Sequence, residues 1–137
     1  MPSIVCDFDR DIGPLLPLGV ASPVPRVEDA TCTHSFKALV DTGATSTIIS
    51  RKVAEKVGLR PVGYWRLATA SHSDVPTLAY SVDLVLDFEA GPEWRRGHLV
   101  FEFAGSPHSS FDILLGRDIL CDGHLTLSLD GRVVFSL

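Results

Sequence analysis

An all-β fold, a barrel or a sandwich with one or two short helices, is expected on three observations. Short apolar and β-branched runs follow one another between polar or Gly- and Pro-containing breaks, several of them alternating with a period of two. Only one stretch carries convincing helix start and stop signals. No strand candidate is separated from the next by a regular helical crossover, which excludes a parallel βαβ sheet.

The elements follow in order. Residues 3–8, SIVCDF, suggest a short strand, but GPLLPLGVASPVP at 13–25 holds four prolines, which cannot donate ladder hydrogen bonds. Residues 1–33 therefore read as an extended, partly mobile arm, and residues 34–137 as the folded domain. HSFKALV and TSTII are strand-like and flank an Asp-Thr-Gly turn. Ser50 is a good N-cap for RKVAEKV, where Arg51 and Glu55 pair at i,i+4 and Val53 and Val57 share a face; Gly58 and Pro61 end the helix. A long hairpin comes next, from VGYWRLATA through SHSD to VPTLAYSVDLVLDF, with Val82, Leu84, Leu86 and Phe88 alternating against Ser81, Asp83, Val85 and Asp87. GPEW reads as a turn, GHLVFEF as a strand with Leu99, Phe101 and Phe103 on one face, FDILLG as an apolar strand, and RDILCDG as a short helix ending at Gly123. Asp130-Gly131 marks a closing hairpin.

Composition bounds the function. The 137 residues suit a single core, and 45% hydrophobic with 21% charged residues indicates a folded, soluble domain. A net charge of −5 without any basic cluster argues against nucleic acid as a partner. No apolar run reaches the roughly 18 residues of a membrane span, and Asp7, Asp9 and Asp11 stand where a signal peptide would be positive, so a cytoplasmic protein with no membrane partner is expected. Cys6, Cys32 and Cys121 are an odd set without CxxC spacing and read as reduced, buried thiols. His34, His72, His98, His108 and His124 lack metal-ligand spacing; no metal and no cofactor is expected, and the histidines read as solitary surface groups. Trp65 and Trp94 read as packing residues.

Asp41 stands apart. Asp-Thr-Gly alone is a common turn, in which Asp caps its own backbone and Gly supplies a positive φ. Turn acids lie in polar loops, however, and this one sits between ALV and ATSTII, where ionisation is costly unless the carboxylate finds partners.

ALVDTGATSTIIS, followed some seventy residues later by FDILLGRDIL, resembles the retropepsin family, the aspartic proteases of retroviruses and their bacterial and eukaryotic relatives. The likeness covers about residues 34–129. It implies a closed β-barrel lobe that is active as a two-fold homodimer. It also implies an aspartic endopeptidase acting on extended peptide or protein substrates, with Asp41 catalytic. Metal-free peptide hydrolysis needs one carboxyl to activate water and another to protonate the substrate, and this chain has a single such motif, so the second Asp41 comes from a second subunit. By the same resemblance Thr42 bonds across the dimer, Gly43 and Ala44 leave room for substrate, and Leu114, Leu115 and Gly116 pack under the active turn. Ala70, Ser71, His72 and Ser73 fall where the family has its flap, although the retroviral flap is Gly-rich; His72 at the tip would make closure depend on pH. In the retroviral enzymes the equivalent of Arg117 pairs with an acid, but Thr45 stands at that acid's position, leaving Arg117 to another acid or to solvent. The family's terminal strands imply an inter-subunit sheet, and the Pro-rich arm suggests self-removal. The departures at the flap and at Arg117 keep open a second function, a dimerising peptide-binding module that cleaves poorly.

Overall fold

The computed structural model describes residues 2–67, 75–103 and 110–137, the side chains of residues 67 and 75 aside. The strands are β1 (Ser3–Asp7), β2 (Leu15–Ala21), β3 (His34–Val40), β4 (Ile48–Ile49), β5 (Gly63–Leu67), β6 (Val75–Phe88), β7 (Gly91–Glu102), β8 (Ile113–Leu115), β9 (His124–Ser128) and β10 (Arg132–Ser136). The helices are α1 (Arg51–Val57) and α2 (Arg117–Leu120), with a 3-10 turn at Ala30–Cys32.

Six strands close a barrel in the order β2-β3-β8-β4-β7-β6, the seam being the β2–β6 pairing of Gly19–Ala21 with Asp83–Val85. β5 extends this sheet from β6, in register from Gly63↔Ala79 to Leu67↔Val75. The barrel is mixed: β3 runs parallel to β8 and β4 parallel to β7, although no βαβ unit joins them. A second sheet, β1-β10-β9, packs on one end. Phe135, fully buried on β10, meets the Phe88 ring at 6.0 Å and joins the two sheets into one core with Leu16, Leu18, Val82, Leu84 and Leu115.

Within the expected arm, β2 is a barrel strand and β1 a strand of the second sheet. β2 buries Leu16, Leu18 and Val20, each no more than 1% exposed, and from Leu18 to Ala21 it is buried throughout. Pro17 is tolerated for a geometric reason. The Val40 N–H donates to the Pro14 carbonyl at 2.9 Å, so residues 14, 16 and 18 occupy the hydrogen-bonded positions against β3, and Pro17 faces Lys37 in a non-hydrogen-bonded pair. Its missing N–H would have pointed toward β6, which pairs with β2 only from Gly19 onward. At Gly19 a Cβ would come within 2.9 Å of Val85 Cγ1, so the close approach at the seam needs glycine.

Helix α1 forms as its caps predict: Ser50 Oγ accepts from the Val53 N–H at 3.3 Å, Gly58 takes φ 78°, and Val53 and Ala54 are buried. Three other expectations change. GPEW is not a turn; Gly91, at φ 131°, opens β7 directly after the two-residue turn Glu89-Ala90. The Asp130-Gly131 hairpin has a three-residue loop, since Ser128 pairs with Arg132 and Gly131 sits at φ 83°. The three thiols are free, but Cys32 and Cys121 are exposed and only Cys6 is half-buried; burial first, and then the neighbouring Asp7 charge, raise its thiol above the ordinary value.

The β6–β7 hairpin holds a buried charge. Beside a register shift between Val82 and Leu84, and on the face opposite the core row Val82, Leu84, Leu86 and Phe88, Asp83 is only 2% exposed. Its carboxylate accepts from Arg96 Nη1 at 2.9 Å and from the Gly97 N–H at 2.9 Å. Arg96 also donates to the Val27 carbonyl at 2.7 Å and lies over the Trp94 ring at 3.6 Å, tying residues 22–33 to the barrel wall. Arg96→Ala is expected to cost about 3 kcal/mol, because it strands a buried carboxylate. Chemical denaturation of the variant beside the native chain measures the loss.

Candidate active site

The loop that joins β3 to β4 begins with Asp41, whose N–H donates to the Leu115 carbonyl at 3.0 Å. Phe36, Ala38 and Val40 face the core, so by alternation Asp41 shares the opposite face with Leu39. Its side chain is half-buried, and Oδ1 accepts from the Gly43 N–H at 2.9 Å. The Asp41 carbonyl accepts from the Ala44 N–H at 3.2 Å. Gly43 does not adopt a positive φ, contrary to the expectation for this turn; what restricts it is that a Cβ would stand 3.2 Å from Asp41 Oδ1. Thr42 and Gly43 are exposed at the tip and Ala44 is half-buried.

The start of α2 holds this loop from below. The Arg117 N–H donates to the Ala44 carbonyl at 2.8 Å, and its guanidinium donates to the Thr42 carbonyl at 2.7 Å and to Thr45 Oγ1 at 3.2 Å. Arg117 therefore reaches Thr45 itself, by hydrogen bond in place of the ion pair of the retroviral pattern. At Gly116 a Cβ would lie 2.6 Å from the Ser46 main chain, so only glycine lets α2 approach the loop this closely.

Asp118 completes the clamp. Its carboxylate accepts from the Thr47 N–H at 3.0 Å and the Thr47 hydroxyl at 2.8 Å, and faces His98 Nε2 on β7 at 2.7 Å. Thr47, fully buried, accepts in turn from the Gly116 N–H at 3.2 Å. Burial pushes Asp118 upward, but hydrogen bonds from His98 and Thr47 outweigh it and hold the carboxyl below its ordinary 3.8. A depressed carboxyl stabilises the fold above its unfolded value, and that contribution is lost as the pH falls below 3.8. Asp118→Asn is expected to lower stability at pH 7 by about 2 kcal/mol, with the gap closing in acid, a difference that denaturation midpoints at the two pH values will show. Sequence reading missed Asp118, Thr47 and His98, although the acid follows Arg117 directly; His98 is no solitary surface group.

The predicted site residues divide accordingly. Thr42, Gly43, Ala44, Gly116 and Arg117 gather around Asp41. Leu115 is fully buried in the core, whereas Leu114 turns to the outer face. That face carries a row across the sheet, Leu39–Leu114–Ile48–Phe101–Ala79–Gly63, one residue from each of six strands in register. It lies one pleat from Asp41. Ala70, Ser71, His72 and Ser73 fall outside the described residues, between the arms β5 and β6. Among the described residues no helix is long and apolar enough to cross a membrane, and no group of three or more potential ligands is placed to hold a metal.

Comparison with known proteins agrees with this geometry. A family model described as aspartyl protease matches residues 26–119. Among solved structures, a retropepsin-like aspartic protease from Rickettsia conorii is similar with a TM-score of 0.66, at 16% identity, over 97% of this chain and 89% of that chain. EIAV protease, complexed with the inhibitor HBY-793, is similar with a TM-score of 0.52, at 17% identity, over 89% of this chain and 100% of its own. At such identities the likeness speaks for the fold. No curated protein sequence matches the chain. The family match takes in more than half of the sequence, including the Asp41 loop and the Gly116–Asp118 clamp beneath it, and the closed barrel is the one expected: this chain belongs to the aspartyl proteases, with the retropepsin-like fold.

Proposed function

We propose that the protein is an aspartic endopeptidase that works as a two-fold homodimer, each subunit contributing Asp41. The observation that carries this is the placement of a single Asp-Thr-Gly loop. Asp41 stands on the outer face of the barrel beside an apolar strip, its loop is clamped from beneath, and the exposed Thr42 and Gly43 leave the loop tip free to meet a second copy.

In such a pair the two carboxyls share one proton. The charged one takes a proton from a water, which attacks the scissile carbonyl, while the other protonates the carbonyl oxygen. The C–N bond then breaks as the departing nitrogen is protonated. The hairpin β5–β6 supplies the arms of a flap that would cover the peptide, and Leu114 and Ile48 offer apolar contacts to an extended substrate. We place the enzyme in the cytoplasm, on its three free thiols.

The alternative of a weakly cleaving module rested partly on an idle Arg117, and that support is gone, since Arg117 braces the active loop. The dimer is tested by following peptide cleavage per subunit through a dilution series beside sedimentation. Specific activity should fall in step with the dimer. A monomer that cleaves at full rate would exclude a shared site.

A further inference from the structure

From the geometry we infer that Trp65 determines specificity, its exposed indole, backed by the buried Phe101 ring, forming a wall that receives a large apolar or aromatic substrate side chain at a subsite remote from the scissile bond; this rests on the protease reading above. Trp94, the other tryptophan, is half-buried beneath the Arg96 guanidinium. Trp65 keeps 43% of its surface exposed, so one face of the indole is open to a ligand.

Its position is built. Trp65 and Gly63 lie on the same face of β5, and the indole folds back over Gly63 so closely that a Cβ there would be 2.8 Å from the ring. Ala79, opposite Gly63, is also small, so the two strands form a trough in which the indole reaches the Phe101 ring, edge-on at 6.1 Å between centroids. Phe101 is next to Ile48 and Ile48 next to Leu114 in the outer row, so an uncharged row begins beside Asp41 with the half-buried Leu114 and Ile48, passes the buried Phe101 and ends against the exposed indole that covers it.

Length fixes which substrate side chain it takes. From β3 to β7 along the row there are three strand spacings of about 4.8 Å, or about 14 Å before the curvature of the barrel shortens it. An extended peptide at about 3.4 Å per residue covers that in at most four residues. The occupant is therefore a side chain two to four positions from the cleaved bond. Absence of charge along the row, and an indole ready to stack, select an aromatic or large aliphatic group over a polar one.

The test is a peptide-library digest by the native chain, Trp65→Ala and Trp65→Phe, read by mass spectrometry. The native chain should prefer aromatic over alanine at one remote position by about tenfold or more in kcat/KM. Trp65→Ala should erase that preference while leaving the preference next to the scissile bond unchanged, and Trp65→Phe should restore most of it. An unchanged profile in Trp65→Ala overturns the inference without touching the protease reading. Binding to the Asp41→Asn variant separates the two further: labelled peptides with an aromatic at that position should bind about tenfold tighter than alanine versions, with the gap lost when Trp65→Ala is added. Equal binding of both peptides to Asp41→Asn overturns the inference whether or not the native chain cleaves.

Discussion

Asp41→Asn is expected to lower peptide cleavage by at least about a thousandfold and to leave the fold intact. The substitution is isosteric, and the amide oxygen can still accept from the Gly43 N–H, so the turn keeps its one side-chain bond. What disappears is the base, because an amide cannot take the proton from the attacking water. General acid–base catalysis contributes about 10²–10⁴-fold, and in a shared dyad both roles vanish together. Circular dichroism should be unchanged, and sedimentation should still show the native assembly. Cleavage of a peptide library at an undiminished rate would remove Asp41 from the chemistry.

Removing residues 1–33 is expected to abolish folding altogether. The segment holds β2, whose Leu16, Leu18 and Val20 are buried against β3 and β6, and β1, whose Ile4 is 5% exposed against the same core. Each such side chain contributes about 1.5–3 kcal/mol, and the deletion also opens the barrel seam, leaving edges on β3 and β6. Domains of this size are stable by about 5–15 kcal/mol in total, so the loss exceeds what remains. A thermal melt of the truncated chain should show no cooperative transition. The same reasoning weighs against self-removal of this segment: mass spectrometry after long incubation should find it still attached, and a shortened chain that stays folded would contradict the seam.

Local signals were legible in the sequence and non-local ones were not. Ser50 and Gly58 bound α1 because caps act within a turn of the chain, and the Asp41 loop stood out because an acid between apolar runs violates a local rule. β2 was misread because four prolines were weighed without their register: whether Pro17 breaks a ladder depends on which edge of β2 its nitrogen faces, and that is set by β3 and β6, distant in sequence. The alternation of Leu16, Leu18 and Val20 was the signal that could have outweighed the prolines. Alternation set Asp83 on the face opposite Val82 and Leu84, where it lies, but its burial there comes from Arg96, held in turn by the Val27 carbonyl, a contact distant in sequence. The Asp118–His98 contact joins α2 to β7 through the closed barrel, and nothing in either segment alone announces it.

The three-stranded sheet constrains how two copies can meet. β10 spends both of its ladders within one subunit, on β1 and on β9, and the far side of β1 is partly engaged where the Glu89 N–H donates to the Ser3 carbonyl at 3.2 Å. Among the described residues, β9 keeps a lateral edge with no neighbouring strand, and its side chains are mostly exposed. In the homodimer proposed above, the open edge along His124–Ser128 offers a second copy a place to extend this sheet, a two-fold axis setting the strand antiparallel to itself, as a handshake between equals.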